Sequence, residues 1–92
     1  MMLPTIHLNG TSREELIRQN MNSALLISKA IDSMYNGRPH GRDYYPQDSI
    51  LGTFRGNAYR RASAEYEARI DKLNSVYKEL LALNEYLNEE SH

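Results

Sequence analysis

The sequence predicts an all-α protein: an antiparallel two-helix hairpin with a long ordered central loop, assembled into a homo-oligomer. Three observations lead there. Apolar residues recur at three- and four-residue steps through two long segments, the spacing of one face of a helix. A stretch holding Asn36-Gly37, Pro39, Gly41 and Pro46 separates them, and such residues stop a helix from running through. Finally, 92 residues folded as two helices bury little apolar area, and there is no cysteine to staple the chain, so self-association is the expected remedy.

Length and composition allow one domain, with 40% hydrophobic and 25% charged residues arguing against global disorder. Within it, residues 1–10 read as an arm. Pro4 blocks an early helix and Asn9-Gly10 is a turn dipeptide. The first helix is expected over 11–36. Thr11 reads as its N-cap with Glu14 closing a capping box, and Ser12 with Glu15 is the alternative register. Ile17, Met21, Ala24, Ile31 and Met34 form its stripe, and Leu16, Leu25, Leu26 and Ala30 widen it. Asn20, Asn22, Ser23 and Ser28 lie among these, as small polar residues that permit close helix approach or mark a polar layer between subunits.

Residues 37–53 are expected as the central loop and 54–88 as the second helix. Pro46 should hold Tyr45 extended, which would send Tyr44 and Tyr45 to opposite sides. Ile50-Leu51 should tuck against the helices. Ala62, Tyr66, Ile70, Leu73, Leu80, Leu83 and Leu87 fall close to a heptad along the second helix. That helix would be roughly 50 Å long against about 35 Å for the first, so its leucines would overhang and need another chain. Glu79, Glu85, Glu89 and Glu90 crowd its C-terminal end, where the helix dipole disfavours acids, and the last turn should fray.

Charge is uneven along the chain. Five arginines against two aspartates leave residues 38–61 at +3, and one lysine against four glutamates leaves residues 73–92 at −3. Arginine offers a planar fork for phosphate or carboxylate. The plainer reading is that these arginines are solvated or pair with acids on a neighbouring chain.

The central stretch carries the chemistry. Arg42 is placed to grip a phosphate, and Tyr44 or Tyr45 to stack a base. Asp43 and Gln47 offer polar contacts, although Asp43 equally suits a turn cap or a pair with Arg42 or Arg38. On the second helix Arg61, Glu65 and Arg69 share a face, with Tyr66 beside them. They read either as a surface salt-bridge ladder or as arginines closing over a ligand. The free amides near Asn9, Thr11 and Ser12 read as a turn feeding a cap, or as an anion seat.

Several classes are not expected. His7, His40 and His92 are scattered along the chain and form no metal constellation, so no metal is predicted. His40 with Asp43 is the best acid–base pair on offer, and an enzyme built on it is a third reading behind two binding ones. There is no P-loop, dinucleotide fingerprint or helix-turn-helix spacing, and no cofactor is expected. The small basic patch on a chain of net charge −1 disfavours duplex nucleic acid. No apolar run approaches the ~20 residues of a membrane span, and the N-terminus lacks the pattern of a signal peptide.

Ile6-His7-Leu8-Asn9-Gly10-Thr11-Ser12, then Gly41-Arg42-Asp43-Tyr44-Tyr45-Pro46-Gln47, then Glu65 and Arg69 on a leucine-patterned helix, resemble a group of very short bacteriophage-encoded proteins. His40 stands where that group has Asn, and Tyr66 where it has His. In size and helical character the chain is also similar to small oligomeric phage proteins that soak up nucleotide immune signals without cleaving them. The resemblance implies a cytoplasmic protein of the infected host that captures a small anionic, nucleotide-type ligand. The alternative is a structural or protein-interaction module whose tyrosine-arginine stretch meets another protein.

Overall fold

The computed structural model describes residues 1–50 and 57–89, the side chains of 48–50 excepted. Three helices follow one another: α1 (Arg13–Asn36), α2 (Gly41–Ile50) and α3 (Asn57–Glu89). There is no strand among the described residues, so the chain is all-α as expected.

α1 begins one residue later than the Thr11 register requires. Ser12 is the N-cap, and its hydroxyl accepts from the Glu15 amide at 3.2 Å. The box stays half made, because the Glu15 carboxylate turns outward and accepts from Arg18 Nε at 2.9 Å and Gln19 at 3.2 Å. Arg18 thereby holds the Glu15 carboxyl below its ordinary range, and Glu15 raises Arg18 in return. Gly37 ends α1 by donating its amide to Ser33 and Met34, both at 3.1 Å. Its φ of −101° lies outside the left-handed region, so the backbone does not call for glycine there. Space does. A Cβ on Gly37 would lie 3.2 Å from the Tyr66 hydroxyl.

The central loop is the main correction. Gly41–Ile50 is helical, with Pro46 inside the helix. Pro46 forfeits the bond from its missing N–H to the Arg42 carbonyl, and its ring crowds that carbonyl. His40 supplies the start that the sequence did not advertise. Its Nδ1 accepts from the Arg42 amide at 3.2 Å, as a capping side chain would, and its carbonyl accepts from the Asp43 amide at 3.0 Å. Asp43 lies in the first turn, where a carboxylate suits the dipole. Tyr45 is therefore not extended. Tyr44 and Tyr45 diverge by the ~100° step of a helix, with Tyr44 half-buried and Tyr45 70% exposed. The expected tuck of Ile50-Leu51, the 54–56 start of the second helix and the fraying of the last residues fall outside the described residues or side chains.

α1 and α3 run antiparallel. Near the start of α1, Asn20 Nδ2 donates to Asn84 Oδ1 at 2.9 Å, and Asn84 Nδ2 donates to the Ile17 carbonyl at 3.1 Å. The polar layer of α1 thus meets α3 of its own chain. At the other end Gly37 meets Tyr66. With those two fixed points α1 ends opposite Tyr66, so Asn57–Glu65 runs on beyond it. The overhang lies at the N-terminal end of α3, not at its leucine-rich end, and α2 packs against it.

The core is small. Among the described residues Ala24, Ile31, Ile70 and Leu87 are its buried apolar side chains, and Asn84 is buried with them. The molecule measures 65 × 21 × 20 Å with a radius of gyration of 20.1 Å, against about 12 Å for a compact domain of this length.

Candidate functional site

Three open-sided clefts meet where α2 crosses the overhang of α3. One of about 370 Å³ lies between Asp43 and Tyr44 of α2 and Glu65, Tyr66 and Arg69 of α3, with Arg38 and Pro39 at its edge. A second, of about 410 Å³, continues along α2 past Tyr44 and Gln47 to Arg61. The third, of about 530 Å³, opens on the other side of Tyr66, among Tyr35, Tyr59, Ser63 and Glu67. Tyr66, Arg38 and Pro39 border both the first and the third.

Helical spacing explains the gathering. Ala58, Ala62, Glu65 and Arg69 recur at four- and three-residue steps, so they form one row along α3. The two alanines let α2 approach closely, and Tyr44 reaches over them into both of the clefts on this side. Tyr66 stands one row over. Its hydroxyl rests against Gly37, which fixes the ring above the end of α1.

Six of the residues singled out from the sequence therefore come together: Asp43, Tyr44, Gln47, Arg61, Tyr66 and Arg69. The others do not join them. Arg42 lies outside these clefts and turns back on His40, whose Nδ1 accepts from its Nε at 3.3 Å. Tyr45 points away. Asn9, Thr11 and Ser12 belong to the far end of the molecule, because α1 alone separates them from α2 by roughly 36 Å. There Gly10 donates to the His7 carbonyl at 3.1 Å, and Ser12 is spent on the cap.

The electrostatics are mixed. Glu65 bridges the two arginines of its row, accepting from Arg61 Nε at 3.2 Å and lying 3.9 Å from Arg69 Nη2. All three side chains are more than half exposed, so these pairs contribute under about 1 kcal/mol each. They are weak enough for a ligand anion to displace the carboxylate. Arg38 and Arg69 border the first cleft and Arg61 the second, with Asp43 and Glu65 among them. His40 Nδ1 accepts from both the Arg42 amide and the Arg42 Nε. No group of three or more potential metal ligands gathers among the described residues.

Sequence reasoning missed Tyr35, Arg38, Tyr59, Ser63 and Glu67. The Arg38 guanidinium lies 5.4 Å from the Tyr35 ring centroid while its Nε donates to the Tyr35 carbonyl at 3.2 Å. The three-residue spacing of Tyr35 and Arg38 and the seven-residue spacing of Tyr59 and Tyr66 are the signals that could have found them. No protein-family model matches the chain, and no curated protein or solved structure is similar to it.

Proposed function

We propose that this protein is a non-enzymatic binder that self-associates and sequesters a small, anionic, nucleotide-type molecule, in the manner of phage counter-defence proteins. The observation that carries the reading is the 370 Å³ cleft, where Tyr44 and Tyr66 supply ring walls and Arg38 and Arg69 supply forks for a phosphate. Arg61 extends the same surface along the second cleft. Arg42 takes an indirect part here, holding His40 at the start of α2. The cytoplasm of an infected bacterium is the compartment that goes with this activity, and no helix among the described residues is long and apolar enough to cross a membrane.

The experiment is capture and release. The protein is incubated with mono-, di- and trinucleotides, cyclic and linear, and with ADP-ribose derivatives, then heat-denatured, and the supernatant is analysed. Intact release of one ligand supports sequestration, and Arg69→Ala should weaken its capture by about 10- to 100-fold. A chemically altered product would replace this reading with an enzymatic one.

A second reading has its own observation. Met21, Leu25, Leu26, Val76 and Leu81 are exposed on α1 and α3 around a minimal core, as in an assembly module. No capture, with thermal stability indifferent to every ligand, would favour it.

A further inference from the structure

The two broad faces of the α1/α3 pair differ. On one, the α3 row Ala58-Ala62-Glu65-Arg69 lies under α2 and continues at the same steps through Leu73, Val76, Leu80 and Leu83. Beyond Arg69 that row carries no charge. Across from it on α1, counted from the Asn20–Asn84 fixed point, are Ser23, Leu26, Ile27 and Ala30, also uncharged. Leu26 is 64% and Val76 45% exposed. α2 thus covers the first half of a lane whose second half lies open. The opposite face is also partly apolar, at Met21, Leu25 and Leu81, but Asp32, Glu67, Lys78 and Glu85 interrupt it.

We infer that the open half of this lane is the interface with a second copy of the chain, packed antiparallel about a two-fold axis, so that the C-terminal part of the partner's α3 walls the clefts beside α2. Two observations name the occupant. The chain exposes 7095 Å², whereas a compact monomer of its mass exposes about 5,500 Å². That excess of roughly 1,600 Å² comfortably covers the ~800 Å² per partner that a stable dimer needs. Charge then sets the direction. Among the described side chains the α2 end is basic, with Arg38, Arg42, Arg60, Arg61 and Arg69 against Asp43, Glu65 and Glu67, and the far end of α3 is acidic, with Glu79, Glu85 and Glu89 against Lys78. A parallel pair would stack like on like, and an antiparallel pair sets each basic end against an acidic one. The same operation applied to one self-complementary patch closes the assembly at two copies.

The inference rests on the self-association proposed above and is independent of the ligand. Light scattering on the full chain should give twice the 10.6 kDa monomer mass. Leu26→Glu and Val76→Glu, on the lane, should each weaken the dimer by about 30-fold or more. Leu25→Glu, on the opposite face, should leave it intact. Because the chain lacks cysteine, Arg61→Cys and Tyr86→Cys chains can be mixed and treated with a short bismaleimide. Crosslinks between 61 and 86 are expected to outnumber those between like positions. A monomer at all concentrations would overturn self-association itself. A dimer broken by Leu25→Glu and indifferent to Leu26→Glu and Val76→Glu would overturn the choice of face and leave self-association standing. Predominant 61–61 and 86–86 crosslinks would overturn the antiparallel direction.

Discussion

The two ends of this molecule use polar side chains in opposite ways. At the end holding the start of α1, Asn20 Nδ2 donates to Asn84, Asn84 donates to the Ile17 carbonyl, and Leu87 is fully buried one turn further along α3. At the α2 end Arg38, Arg61, Arg69, Tyr44 and Tyr66 surround open clefts, and the arginines' internal partners are surface ion pairs, one ring and the Tyr35 carbonyl. The first arrangement fixes register, because a slipped helix would strand a buried amide. The second leaves hydrogen-bonding capacity facing solvent, which suits recognition better than folding.

The comparison breaks most readily in the core. Leu87→Ala should cost about 2–5 kcal/mol in urea unfolding, a large share of the ~5–10 kcal/mol of a small domain. Arg69→Ala at the other end should change stability by under about 1 kcal/mol while weakening capture. Equal destabilisation by both would mean the cleft is packing after all.

Next is the amide lock. Asn84→Ala strands the part-buried Asn20 donor and should cost about 1–3 kcal/mol. The double change Asn20→Leu with Asn84→Leu should recover part of that, because no buried partner is left unpaired. A thermal-melt series over the three variants decides it.

Much of this architecture was legible in the sequence. The apolar steps of α1, the Asn36-Gly37 stop and the heptad from Ala62 to Leu87 on α3 were all readable, because they follow from helical period and breaker residues alone. α2 was not. Pro39, Gly41 and Pro46 are read as breakers, and it takes the His40 cap and the overhang of α3 to make the helix worthwhile. Asn20 was readable as a small polar residue at an interface, but its partner 64 residues away was not. Arg42 stood out through its place in a dense motif, whereas the cleft chose Arg69, which a row on α3 and the crossing of α2 put there together.

A smaller effect sharpens the role of the α1 stop. Gly37→Ala places a methyl 3.2 Å from the Tyr66 hydroxyl, closer than ordinary van der Waals contact. Tyr66 must move by a few tenths of an ångström, and it borders two clefts. Capture should weaken about tenfold, with stability changed by under about 1 kcal/mol. Adding Tyr66→Phe should relieve the contact and restore part of the binding. His40→Ala belongs beside it: losing the α2 cap should cost about 0.5–1 kcal/mol, read as faster hydrogen exchange confined to α2.

The smallest effect sits on the exposed start of α1, far from either the lock or the clefts. Hydrogen bonding to Arg18 holds the Glu15 carboxyl below 4.5 in the folded chain. A depressed acid binds its proton more readily once the chain unfolds. Its contribution is therefore present above the unfolded value and is lost as pH falls through the folded one. A urea midpoint followed from pH 6 down to 3 should decline slightly more steeply for the native chain than for Glu15→Gln, which has no proton to take up at that site. Because both side chains are exposed, salt should erase the difference. If the two profiles stay parallel at low salt, the pair contributes nothing and the first turn of α1 rests on Ser12 alone.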